Sequence, residues 1–149
     1  MLSEAHRQRL LAGRCWEIYD LITRTFTVQP AFTSEFPELA EQALLTGALS
    51  LRIQIEPDRF LQIVEEYDFR EHELIVETYS YLLLNQALGV VIRADSLPHH
   101  QRDYRKRRLQ HFPHHLHDEQ GRIRSFTGRV EDFVLEVIQH SKTPRPANL

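Results

Sequence analysis

One cysteine, Cys15, is all the chain contains, so no internal disulfide can brace it. Stability has to come from a packed core, and the natural setting is a reducing one. Glycine is scarce as well, with five in 149 residues. There is no Gly-rich phosphate loop, no paired Cys-x-x-Cys and no His-Glu-x-x-His. Nucleotide-triphosphate hydrolysis of the P-loop kind, dinucleotide binding and the familiar zinc-protease helix are thereby excluded. No apolar run approaches the roughly 18 residues a membrane span needs. The segment Met1 to Arg14 mixes charges with apolar residues and lacks the apolar core of a signal peptide. We expect a cytoplasmic protein with no membrane association.

What is present suits one domain. Apolar residues make up 42% of the chain, enough to build a core at this length. The net charge of −3 is unevenly spread. Residues 1–80 carry 14 acidic and 7 basic side chains, residues 81–149 carry 7 acidic and 11 basic. Such asymmetry suggests a basic working face on an acidic remainder.

Residues 3–26 read as a helix from the spacing of Leu10, Leu11, Ile18, Leu21 and Ile22. Pro30 interrupts, and Ser34 can cap a second helix over 35–45 that stops at Gly47. The period then changes to two. Leu49, Leu51, Ile53 and Ile55 alternate with polar residues over 48–56, which predicts a half-buried strand. Pro57-Asp58 turns the chain into a strand over 60–67, followed by strands over 74–85 and 90–95 and a further one near 122–126. Residues 99–113 read as a polar excursion. Val130, Phe133, Val134, Val137 and Ile138 mark a closing helix. The expected fold is α+β, an antiparallel β-meander packed with a C-terminal helix and preceded by two N-terminal helices. Within that single domain, 1–47 would be a helical extension able to dimerise, 48–141 the core and 142–149 a loose tail.

Six of the nine histidines fall within 19 residues: His99, His100, His111, His114, His115 and His117. Histidine is the side chain best suited to moving protons near neutral pH and is a common metal ligand. Arg93 and Asp95 close the preceding strand two positions apart, so both point to one face. An Asp can orient an imidazole, and an Arg can hold a phosphate and stabilise developing negative charge. Glu65 interrupts the apolar row of Leu61 and Ile63, and either reaches the histidines or ends at a sheet edge. Tyr79 and Tyr81 read as packing residues. Arg102, Arg105, Lys106, Arg107 and Arg108, with Tyr104 among them, suit a phosphate backbone. Cys15 lies in the first helix as a core residue. With no nucleophile to nominate, acid–base chemistry or a metal-activated water is favoured.

From about Ala48 to Gln139 the chain resembles the TumE-like toxins of prokaryotic toxin–antitoxin systems. The resemblance is carried by Leu61-x-Ile63-x-Glu65, Tyr79-x-Tyr81, Ile92-Arg93-Ala94-Asp95-Ser96-Leu97-Pro98-His99-His100 and Phe112-Pro113-His114-His115-Leu116-His117. The family more often has Tyr-Asp-Asn after the Arg, where this chain has Ala94, Asp95 and Ser96. The resemblance implies a small intracellular toxin neutralised by a cognate antitoxin protein.

Three functions fit these residues. The leading one is a ribonuclease without a metal, in which His99 and one of His114, His115 or His117 exchange protons with RNA, Arg93 stabilises the transition state, Asp95 orients a ring and Glu65 assists. Arg102, Arg105, Lys106, Arg107 and Arg108 would bind rather than react. The second adds Zn²⁺ or Mn²⁺ held by His115, His117 and either Asp95 or His99, for metal-dependent phosphodiester hydrolysis. The third is a non-catalytic module that grips RNA or a partner.

Overall fold

The structure, a computed structural model, describes residues 2–26 and 45–142. Helix α1 spans Glu4–Thr25, and its N-cap Ser3 accepts a hydrogen bond from the His6 N–H at 3.2 Å. Six strands follow: β1 (Ala48–Glu56), β2 (Arg59–Arg70), β3 (Glu73–Asn85), β4 (Val90–Asp95), β5 (His115–His117) and β6 (Ile123–Ser125). Helix α2 (Val130–Lys142) closes the described chain. Every neighbouring pair of strands is antiparallel, and the order in the sheet is the order in sequence. No helix among the described residues is long and apolar enough to cross a membrane.

One sheet face is apolar because β1, β2 and β3 alternate over most of their length. Leu51, Ile53, Leu61, Ile63, Tyr81 and Leu83 point one way, joined by Ile92 and Ala94 from β4 and Leu116 from β5. Both helices pack on this face, touching β3 and each other. Leu11, Cys15, Ile18 and Ile22 form the buried stripe of α1, and Val130, Phe133 and Val137 that of α2. The stripes follow the three- and four-residue steps of an amphipathic helix.

The expected pair of N-terminal helices needs correction. Among the described residues there is one long N-terminal helix, and the span 35–45 lies outside them except for Leu45. The buried stripe of α1, from Leu11 to Ile22, belongs to the same core as the sheet. A further difference is β5. Three residues are too few for a periodic pattern to show, and this strand exists because β4 and β6 supply hydrogen bonds on both sides.

Candidate active site

Directly paired residues of antiparallel strands share a face. In the β4–β5 pair, Arg93 lies opposite His117, Ala94 opposite Leu116 and Asp95 opposite His115. Ala94 and Leu116 enter the core, so Arg93, Asp95, His115 and His117 stand together on the face away from the helices. The segment after β4 brings back His99 and His100. The ring centroids of His100 lie 5.1 Å from His115 and 5.3 Å from His117, those of His99 lie 5.6 Å from His115, and His115 and His117 are 4.9 Å apart. The two histidine motifs therefore converge as four neighbouring rings.

Asp95 and His115 are buried at the base of the group. Asp95 Oδ1 accepts the Leu97 N–H at 3.0 Å, lies 3.3 Å from His115 Nε2 and is 4.0 Å from His99 Nε2. Its other oxygen is 3.1 Å from Arg93 Nε. That is a charge contact rather than an aligned hydrogen bond, since Arg93 Nε has no well-directed acceptor among the described residues. Arg93 Nη2 lies 3.0 Å from His117 Nε2, and a guanidinium only donates, so His117 accepts there. Burial, followed by the charge of Arg93, brings the His117 pKa down to about 4. Burial, then His115 and His99, lowers that of His100. The outer members are accessible: the Arg93 and His99 side chains are 40% and 44% exposed. Arg93 and His117 also line a cleft of about 280 Å³ with Val90, Val91 and Asp118.

Two candidate residues are elsewhere. His114 alternates with His115 and turns the other way; its Nδ1 meets the Tyr79 hydroxyl at 2.9 Å, and its ring stacks on Tyr79. Gly128 permits this position, because a Cβ there would lie 2.7 Å from His114 Cε1. Glu65 is sealed on the helix-covered face. Arg14 from α1 binds it through both carboxylate oxygens, at 2.9 and 2.6 Å, and the Tyr67 and Tyr81 hydroxyls donate to it as well. With the sheet between them, Glu65 does not reach the histidines. Conversely, His100 belongs to the group although the sequence reading assigns a role only to its neighbour His99. Its signal in the sequence is the Pro98-His99-His100 motif itself.

The basic segment is an ordered loop. Asp103 Oδ1 accepts the backbone N–H groups of Arg105 and Arg107 at 2.8 and 2.9 Å, and Arg102 Nη1 donates to the Lys106 carbonyl at 2.9 Å. The guanidinium groups of Arg105 and Arg122 lie over the Tyr104 ring, at 5.3 and 4.9 Å from its centroid. Buried Leu109 anchors the return, while Arg102, Arg105, Lys106, Arg107 and Arg108 stay exposed.

Two overlapping sets place their ligand atoms within 4.8 Å of one another among the described residues: Asp95, His99 and His115, and His100, His115 and His117. No family model, curated protein or solved structure matches the chain. Its chemistry has to be argued from the site.

Proposed function

We propose that the chain is a toxin-like ribonuclease, with RNA as substrate and a cognate antitoxin as its cellular partner. One observation carries the catalytic part: His99, His100, His115 and His117 meet Arg93 and Asp95 on one sheet face, at the root of an exposed basic loop. The toxin assignment is supported by the two histidine motifs that resemble the TumE-like family.

Exposure divides the roles. His115 is too deeply buried to touch a polymer and serves with Asp95 to position its neighbours. His100, His117 and Arg93 face the substrate. The phosphate draws the Arg93 guanidinium away from His117, freeing the Nε2 lone pair. His117 then takes the 2′-hydroxyl proton as O2′ bonds to phosphorus. The P–O5′ bond breaks, and His100, whose protonated form the bound anionic phosphate favours, delivers a proton to the departing O5′. Arg93 stabilises the charge that builds on the phosphoryl oxygens. The products are a 2′,3′-cyclic phosphate and a free 5′-hydroxyl.

A labelled oligoribonucleotide and its 2′-deoxy analogue test this against wild type, His100→Ala, His117→Ala and Arg93→Gln, each checked for folding by thermal melting. The expected result is cleavage of the ribonucleotide alone, slowed at least about 100-fold in each variant. Equal cleavage of the deoxy analogue would replace internal attack with attack by water. A folded wild type that binds RNA in a salt-sensitive manner and never cuts it would leave a binding module instead.

A further inference from the structure

His115 is a buried ring with one nitrogen unaccounted for. Its Nδ1 lies 2.9 Å from the Pro113 carbonyl oxygen, which can only accept, so Nδ1 carries a proton. In the neutral ring Nε2 is then a lone-pair atom, and it has no hydrogen-bond partner among the described residues. It faces Asp95 Oδ1 at 3.3 Å, another lone-pair atom. Two acceptors facing each other at that distance in a buried place need positive charge between them. His99 turns a third donor atom to the same point, with Nε2 4.0 Å from the same carboxylate oxygen.

We propose that Asp95, His99 and His115 bind one divalent transition-metal ion, with Zn²⁺ the preferred occupant. A tetrahedral zinc with bonds of about 2.0–2.1 Å holds its ligand atoms about 3.4 Å apart. Asp95 and His115 already stand at that spacing, and the exposed His99 side chain closes the remainder by a small rotation. The surroundings suit ligands. The Pro113 carbonyl fixes the tautomer of His115, while the Leu97 N–H and Arg93 hold the two oxygens of Asp95. The carboxylate makes this set the better of the two overlapping ones, since it offsets the ion's charge. The Arg93 guanidinium against His117 opposes a second cation on that side. A fourth position stays open for water or a phosphoryl oxygen. Catalytic use of the ion rests on the phosphodiester reading above, whereas its binding does not.

The full chain, stripped with a chelator, would be titrated with Zn²⁺ by calorimetry and with Co²⁺ by absorption spectroscopy. One equivalent should bind, and zinc should raise the melting temperature. His99→Ala, at an exposed position, and Asp95→Asn should each weaken binding on the order of 100-fold, while His111→Ala should not. Absence of stoichiometric binding would overturn the proposal and leave a proton as the missing charge. Binding lost in His117→Ala but kept in His99→Ala would overturn the ligand assignment. RNA cleavage measured on the same samples separates the two ideas. Cutting by protein that takes up no metal sinks only the metal site, and metal uptake without cutting sinks only the ribonuclease.

Discussion

Glu65 and Asp95 are both carboxylates sealed inside the protein, and their neighbours give them opposite tasks. Glu65 receives two donors from Arg14 and one each from Tyr67 and Tyr81, so it is a saturated structural ion pair. Removing its charge strands Arg14 in a mostly buried place. Glu65→Gln should therefore cost about 3 kcal/mol, read as a lower urea midpoint at unchanged slope. The same group predicts a pH effect. Burial first, then the charge of Glu65, raises the pKa values of Tyr67 and Tyr81 well above the ordinary value of 10.0. An unfolded chain loses those protons near pH 10 while the folded one keeps them. Their contribution is complete below that pH and shrinks as pH rises beyond it. Melting temperatures followed from pH 9 to 11 should fall most steeply above pH 10, and a flat profile would refute this. Glu65 was visible in the sequence as a polar break in an apolar row. Its role was not, because its cation lies 51 residues away on another element.

Among the elements, α1 behaves as part of the core. It buries Leu11, Cys15, Ile18 and Ile22 and sends Arg14 to Glu65. A fragment beginning at residue 45 would expose the apolar face that α1 covers and leave Glu65 without its cation. It should lose cooperative thermal unfolding; a fragment that melts cooperatively would show α1 to be dispensable. Local periodicity was sufficient for β1 and α2, where Leu49, Leu51, Ile53 and Ile55 and then Val130, Phe133, Val134 and Val137 write their burial directly. It was insufficient for β5. Over three residues alternation is only a parity, and parity decides that His115 and His117 join Arg93 and Asp95 while His114 faces Tyr79.

Across the whole molecule, the helices cover one sheet face and the histidine group occupies the other, with an exposed basic loop at its margin. If that loop holds RNA by charge, Arg105→Ala/Lys106→Ala/Arg108→Ala should weaken binding without abolishing the chemistry. The plot of log affinity against log salt should flatten by about 0.7 for each phosphate that the variant no longer neutralises. An unchanged slope in a folded triple variant would remove the loop from the binding surface.

Spacing along the chain determined the antiparallel meander, the closing helix and the stretch from Arg93 to His117 that holds six of the nine histidines. Each of these depends on neighbours within a few residues, and apolar burial imposes the period. Tertiary structure alone decided which histidines stand together. His99 meets His115 only because β4 and β5 pair, and His114, one residue before β5, turns to the other face, where the β2–β3 register sets Glu65 opposite Tyr79. Distances across a sheet depend on strand register, which is settled only when separate segments pair with their apolar faces on the same side.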